Sequence, residues 1–256
     1  MSPWQIAAGL VAGFAAGLIS GAFGVGGGTL TTPVVRLLGG TAIQAVATPL
    51  PVIFPTALTG AYTYWRAGQV SRRAIEWGAA PGVVGAIVGA LLTQIFDPHW
   101  LLLVTAILVG IESVRIGAGI GIKERPRGTT PGWQYAIAGA AAGIVSGLLG
   151  IGGGIVFVPI VTGLLGMPLK RALGTSLVLI AIIAVPGTLT HFVLGNINWE
   201  IFLVLVIGVI PGARIGALLA LRARERSLRL AVAAFLLLVA VVYGMFEAIN
   251  IVRGTG

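Results

Sequence analysis

Two glycine runs in this chain could bind an anion with main-chain groups alone. Residues 24–28 read Gly-Val-Gly-Gly-Gly and residues 150–154 read Gly-Ile-Gly-Gly-Gly. Glycine adopts left-handed backbone conformations without a side-chain penalty, so successive N–H groups can turn inward around an anion. A helix that starts after such a run adds the free N–H groups and the positive dipole end of its first turn. We call these segments the first and the second glycine run.

Hydroxyl side chains near the runs, together with one arginine, could complete an anion site. Each hydroxyl could donate to an oxyanion, or could instead bond back to a carbonyl of its own helix. Arg214 precedes Arg222 by eight residues, which is about 12 Å of helix inside a predicted span. A cation at that depth indicates a functional site, a structural pair, here with Glu112, or a side chain that extends along its stem to the cytoplasmic surface. The predicted substrate-binding residues are Ser20, Gly24, Gly26, Gly27, Gly28, Thr48, Ser146, Gly150, Gly152, Gly153, Gly154, Thr175, Ser176 and Arg214.

Other kinds of functional site lack the residues that they need. The chain has no cysteine and only two histidines, so we predict no metal site. It also lacks the H-E-x-x-H metalloprotease motif, a G-x-S-x-G nucleophile with a usable histidine, and the G-x-x-x-x-G-K-[ST] nucleotide loop. We therefore predict that the protein is not an enzyme and that it binds no cofactor.

The composition is that of a membrane protein. Hydrophobic residues make up 57% of the chain and charged residues only 9%, and the mean hydropathy is +1.04. Soluble domains contain about 25% charged residues. The formal net charge of +9 comes from basic residues in short loops, which membrane topology explains better than nucleic acid binding. The predicted partners are the lipid bilayer and a small anionic substrate, and no nucleic acid.

The chain consists of two copies of one unit. Nine positions in residues 17–35 match residues 143–161 at a constant offset of 126, among them Ser20 with Ser146 and Pro33 with Pro159. Thr48 and Thr175 continue the correspondence with an offset of 127. We predict a first repeat at 1–117, a cytoplasmic linker at 118–132 and a second repeat at 133–256. In a membrane protein, paired interruptions of apolar segments are a sequence indication of a transport site.

Apolar stretches predict the same set of elements in each half. In the first half a glycine-broken segment, 4–38, is followed by spans at 43–65, 75–96 and 100–117. In the second half a broken segment, 133–165, is followed by spans at 169–194, 199–221 and 228–249. Glycines spaced four apart, such as Gly13 with Gly17 and Gly208 with Gly212, are typical of close helix packing.

The distribution of basic residues decides whether the broken segments cross the membrane. If each crosses once, the two sides carry eight and seven basic residues, which is no bias. If each returns to its starting side, thirteen of the sixteen lie on one side and two on the other, as expected for a cytoplasmic side. The sequence thus predicts an all-α polytopic membrane protein of two inverted-topology repeats, each a glycine-broken helical hairpin plus three transmembrane helices. Both termini are predicted outside, and the two runs are predicted to meet.

The doubled motif G-x-x-S-G-x-x-G-x-G-G-G-x-x-x-x-P, at 17–33 and 143–159, resembles the TauE/SafE sulfite exporter family. Gly174-Thr175-Ser176-Leu177 after the second copy is similar to that family as well. The resemblance implies a carrier in the cytoplasmic (inner) membrane of a prokaryote. It would export sulfite, an organosulfonate such as sulfoacetate, or a related sulfur oxyanion, with a proton as the coupling ion. The alternative is an anion channel built from two re-entrant hairpins, and the oligomeric state is left open.

Overall fold

All the regular secondary structure in the described residues is helical. The computed structural model describes residues 2–92, 107, 110–111, 113–118, 129–149 and 152–253, and no strand occurs among them. The helices are α1 (Pro3–Phe23), α2 (Gly28–Leu37), α3 (Ala42–Ala47), α4 (Pro49–Arg66), α5 (Arg72–Leu92), α6 (Gly132–Leu149), α7 (Gly154–Pro159), α8 (Leu169–Val193), α9 (Trp199–Arg222) and α10 (Glu225–Arg253). The helical fold class is confirmed. Most of the predicted span 100–117 and of the linker 118–132 lies outside the described residues.

Several helices have the dimensions of membrane spans. Among the described residues, Pro3–Phe23, Leu169–Leu189 and Trp199–Arg222 are long and apolar enough to cross a membrane. A helix suits hydrocarbon because its backbone polar groups bond within the segment. Large apolar side chains on the outer face of α9, such as Leu203 and Ile207, are exposed and can contact lipid. The prediction of a membrane protein is confirmed at this level.

The start of the second predicted span differs from the sequence prediction. The stretch predicted as one span, 43–65, begins with the short helix α3 and continues as α4 after Thr48. A capping box starts α3, in which Gln44 N donates to Thr41 Oγ1 and Thr41 N donates to Gln44 Oε1. Pro49 then lacks the N–H that a continuous helix needs. The proline is visible in the sequence, but the stretch is apolar throughout, so hydropathy alone predicted one continuous span.

Both glycine runs separate two helices. The helix α1 ends at Phe23, and α2 begins at Gly28 after a left-handed C-cap at Gly24. The helix α2 then returns along α1, because Gln5 Nε2 donates to the carbonyl of Leu38 at 3.2 Å. In the second half α6 ends at Leu149 and α7 begins at Gly154. The helix α7 continues into a π-helical turn, Ile160–Leu164.

Two helix pairs pack backbone against backbone through glycines. On α1, Gly13, Gly17 and Gly21 face the main chain of Leu205, Val209 and Ala213 on α9, respectively. Residue numbers rise together along both helices, so α1 and α9 run in the same direction. On α6, Gly139 and Gly143 likewise face Gly78 and Gly82 of α5, so these two helices are also parallel. The predicted packing role of these regularly spaced glycines is confirmed.

The helices α4 and α8 cross the centre in opposite directions. Gly60 of α4 faces the Leu177 side chain near the start of α8, whereas Gly187 near the end of α8 faces Leu50 at the start of α4. Leu177 and the residues around it on α8 are almost fully buried. The two antiparallel helices therefore form the middle of the described fold, with the α1–α9 and α5–α6 pairs packed around them.

Candidate functional site

The two glycine runs contact each other in the centre of the protein. A Cβ atom built on Gly152 would lie 3.0 Å from the Val25 carbonyl oxygen and 3.8 Å from Gly26 Cα. Gly24, Gly26 and Gly152 have positive φ values of 67°, 75° and 80°, a region that side-chain-bearing residues rarely adopt. Glycine is thus required here for its conformation and for the close approach of the two backbones.

A helix begins at the last glycine of each run. Gly27 is the N-cap of α2 and Gly153 is the N-cap of α7. Within the described part of the chain, no side chain forms a hydrogen bond that caps either helix. The hydroxyl groups of Thr31 and Thr32 donate to the carbonyls of Gly27 and Gly28, both at 2.9 Å. These hydroxyls therefore do not cap the amides. Both runs thus end at helix N-termini whose first amides have no side-chain acceptor among the described residues. Free amides of this kind are what anion binding by the main chain requires.

Apolar side chains from the two central helices close around the first run. A Cβ atom on Gly26 would lie 3.0 Å from Ile180 Cγ2 of α8 and 3.8 Å from Ile53 Cγ2 of α4. Ile53 and Ile180 are both buried, and their offset of 127 residues is that of Thr48 and Thr175. Neither isoleucine was among the predicted site residues, although this offset could have identified them as a pair.

Ser176 joins the two runs from α8. Its hydroxyl donates to the Gly24 carbonyl at 2.7 Å, and this contact is buried. A Cβ atom on Gly154 would lie 2.8 Å from the same hydroxyl oxygen and would also collide with the Gly24 carbonyl. Ser176 therefore bonds α8 to the C-terminal end of α1, and the N-terminal end of α7 packs beside this bond.

The remaining predicted hydroxyls differ in their hydrogen bonding. Ser20 Oγ is buried and has no hydrogen-bond partner among the described residues, and Ser146 is half-buried. Thr175 Oγ1 accepts from Ser71 N at 2.9 Å and donates to the Arg171 carbonyl at 2.6 Å. Thr48 Oγ1 accepts from Asn198 N at 3.1 Å. Of this set, Ser20 is the residue whose hydroxyl is buried and still available to a ligand.

The Arg214 side chain is not buried at this centre. Its neighbour Ala213 packs against Gly21 of α1, whereas Arg214 itself is exposed on α9. Ile210 and Leu218, one turn to either side of it, are exposed as well. The side chain therefore stands on an apolar outer face of α9. Glu112, its predicted alternative partner, lies outside the described residues, as does Gly150 of the second run.

This arrangement of apolar helices around a buried glycine centre defines a polytopic helical membrane protein. The chain belongs to the sulfite exporter TauE/SafE family, whose model matches residues 9–243.

Similar proteins come from bacteria and from an archaeon. The probable membrane transporter protein YunE of Bacillus subtilis is 27% identical, with 81% of this chain and 86% of YunE aligned. A probable membrane transporter protein of Xylella fastidiosa (strain Temecula1) is 27% identical over 85% of this chain and 84% of its own length. MJ0441 of Methanocaldococcus jannaschii, also named a probable membrane transporter protein, is 23% identical over 89% and 91%. Family and relatives together identify a membrane transporter.

Proposed function

We propose that the protein is a secondary transporter that exports a small sulfur oxyanion, sulfite or an organosulfonate such as sulfoacetate, across the cytoplasmic membrane of a prokaryote. The substrate class rests on the name of the family, sulfite exporter. The observation that supports a binding site is the contact between two glycine runs that both end at uncapped helix N-termini. A proton is the proposed coupling ion.

The proposed architecture is a pair of inverted repeats, 1–117 and 133–256, joined by the linker 118–132. The helices α4 and α8 occupy equivalent positions in the two halves, and they run antiparallel. A two-fold axis in the membrane plane reverses the direction of equivalent helices, whereas an axis along the membrane normal preserves it. The antiparallel packing therefore supports inversion and argues against broken segments that each cross the membrane once.

The proposed orientation puts both termini outside and the basic loops in the cytoplasm. Lys170, at the start of α8, donates from Nζ to the carbonyls of Leu221 and Ala223 at the end of α9, at 2.7 and 3.0 Å. The carbonyl oxygen of Gln69, in the loop that precedes Arg72, lies against Gly174. Basic segments from both halves thus gather at one end of the molecule, which is consistent with a cytoplasmic face.

In the proposed site the anion is bound by amides of the two runs and by the Ser20 hydroxyl. Among the described residues, the atoms nearest to the glycines of both runs belong to uncharged residues. Binding by dipoles alone suits a carrier, which must also release its substrate. Because the Gly152 and Val25 backbones are in contact, an anion fits between the runs only when they separate. This closure favours alternating access over a continuous pore.

Binding to the purified protein tests the substrate class. The thermal unfolding temperature is measured with sulfite, sulfoacetate, sulfate and chloride, because a ligand that binds only the folded state raises it. We expect sulfite or sulfoacetate to stabilise the wild type and Gly195→Leu, but not Gly152→Leu. Gly195 is the matched control because it also has positive φ, 68°, and no atom of the described residues lies within 4 Å of its Cβ position. Equal responses to chloride, or no response, would contradict the substrate assignment.

Transport in proteoliposomes distinguishes the carrier from the channel. A carrier saturates and supports counterflow, in which unlabelled anion on one side drives uptake of labelled anion. A channel passes current without counterflow. Counterflow that is abolished in Gly152→Leu is the expected result, and a current without counterflow would replace the carrier by the channel alternative.

A further inference from the structure

Two hydrogen bonds connect the proposed repeats in the same way. Thr48 Oγ1 accepts from Asn198 N, and Thr175 Oγ1 accepts from Ser71 N. Thr175 follows Thr48 by 127 residues, and Asn198 follows Ser71 by 127 residues. Each bond therefore joins a threonine of one repeat to a backbone N–H of the other, and the two bonds are equivalent by the repeat relation.

The two bonds lie at opposite ends of the central helix pair. Thr48 immediately precedes α4, close to Leu50, which packs against Gly187 near the end of α8. Thr175 lies near the start of α8, close to Leu177, which packs against Gly60 of α4. Because α4 and α8 are antiparallel, the proposed orientation puts Thr48 at the outer end and Thr175 at the cytoplasmic end.

Each N–H donor belongs to a residue that starts a helix. Asn198 is the N-cap of α9, and its Oδ1 accepts from Ile201 N at 3.1 Å. Ser71 precedes α5, and its Oγ accepts from Ala74 N at 3.4 Å. The helix α9 packs on α1 without room for a side chain between them, and α5 packs on α6 in the same manner. Each bond therefore ties one tightly packed helix pair to a central helix.

The Thr175–Ser71 bond is buried and the Thr48–Asn198 bond is partly buried, so each opens only if water replaces it. Thr48 and Thr175 are fully buried, and Ser71 is nearly so. A backbone N–H that loses its acceptor in a dry environment is strongly unfavourable. Opening one bond is therefore coupled to the entry of water at that end, while the bond at the other end can stay closed.

We propose that Thr48 and Thr175 each keep one end of the transporter closed through the hydrogen bond described above. We call these two bonded threonines the latches. The Thr48–Asn198 bond closes the outer end and the Thr175–Ser71 bond closes the cytoplasmic end. One opens while the other remains formed, and the structure with both formed is the occluded state. The proposal rests on the alternating access proposed above, but not on the identity of the anion. It also gives these threonines a positioning role that does not require contact with the substrate.

The absence of cysteine from the chain allows each end to be probed with a single introduced thiol. Ala45→Cys reports on the outer end and Ala74→Cys on the cytoplasmic end, since both alanines are buried. The measured quantity is the labelling rate by a membrane-impermeant maleimide, added to right-side-out vesicles for Ala45→Cys and to inside-out vesicles for Ala74→Cys. No substrate is present.

Thr48→Val and Thr175→Val remove one acceptor each and preserve the side-chain shape. We expect Thr48→Val to raise labelling of Ala45→Cys about fivefold, the effect of losing one ordinary hydrogen bond, and to lower labelling of Ala74→Cys. Thr175→Val should have the opposite effects. Thr48→Ser and Thr175→Ser keep the acceptor and should label as the parent does. Thr59→Val is a further control, because Thr59 Oγ1 bonds within its own helix, to the Pro55 carbonyl.

Equal changes in the labelling rate at both reporters, or no change in either valine variant, would overturn the proposal that these threonines are latches. If a valine variant does not accumulate in the membrane, the alanine variant at the same position removes the same acceptor and is measured in its place. Opposite shifts at the two reporters together with a failed anion-binding test would retain the latches and reject only the substrate class.

Discussion

At the scale of single residues, the same backbone conformation serves different purposes at different glycines. Gly152 and Gly195 both have positive φ, 80° and 68°, so a substitution introduces similar backbone strain at each. Only at Gly152 would the new side chain also meet another segment, the Val25 carbonyl at 3.0 Å. Comparing the two positions therefore separates the effect of strain from that of contact between the runs.

We predict that Gly152→Leu abolishes transport while the protein still inserts into the membrane. The leucine side chain forces the second run away from the first. The amides of the two runs can then no longer bind the same anion. Gly195→Leu should retain at least half of the wild-type rate, because its side chain enters open space. The measurement is anion transport by inside-out vesicles, normalised to the amount of protein in the membrane. A wild-type rate in Gly152→Leu would refute a role of the runs in binding.

Sequence spacing could predict which residues lie near the runs, but not which hydroxyls are already hydrogen-bonded. The repeated motif identified both glycine runs, which the structure brings into contact. Thr48 and Thr175 were predicted as ligands, yet their oxygens accept N–H groups that lie 150 and 104 residues away in the chain. Those partners depend on tertiary packing. The spacing between Arg214 and Arg222 also predicted how deep Arg214 lies within the span. Its exposure could not be predicted, because it depends on which face of α9 packs against α1.

At the scale of helices, the space around a helical glycine determines whether an added methyl group lowers or raises the stability of the protein. Gly212 of α9 lies against the main chain of Phe14 and Leu18 on α1, with no room for a methyl group. Among the described residues, the Ala240 side chain alone lies near the Cβ position of Gly110, at 3.6 Å. Without a tertiary contact, alanine favours a helix over glycine by about 1 kcal/mol. Opposite effects on stability are therefore expected at these two helical glycines.

We predict that Gly212→Ala lowers the free energy of unfolding by about 1–3 kcal/mol, the usual cost of overpacking. Gly110→Ala should leave it unchanged or raise it by up to about 1 kcal/mol. Thermal or denaturant unfolding of the purified protein in detergent provides the measurement. If the two variants were equally stable, close contact between α1 and α9 would not limit the stability of the fold.

Element boundaries followed from the sequence wherever charge and hydropathy changed together. The predicted span 199–221 corresponds to α9, Trp199–Arg222, and 169–194 corresponds to α8, Leu169–Val193. The separate helix α3 and the π-helical turn after Pro159 were not predicted as such. Both follow from local backbone bonding at a proline, to which a hydropathy average over a whole span is insensitive.

At the scale of the whole molecule, the antiparallel packing of α4 and α8 supports the topology proposed from basic residues. These are independent observations, because one concerns contacts between apolar helices and the other concerns charges in loops. A hairpin at each glycine run agrees with both the helix contacts and the distribution of basic residues. A single crossing at each run would make equivalent helices parallel, contrary to the contacts of Gly60 and Gly187.

We predict that the N-terminus and the loop after α4 lie on opposite sides of the membrane. Ser2 and Ala67 are exposed, and the chain contains no cysteine, so Ser2→Cys and Ala67→Cys each supply a single accessible thiol. In intact cells or right-side-out vesicles an impermeant maleimide should label Ser2→Cys only, and Ala67→Cys should react after permeabilisation. Under a single crossing of each broken segment, both positions face the same side. Labelling of both thiols from one side would therefore reject the hairpins, the inverted repeats and the outer and cytoplasmic assignment of the two latches together.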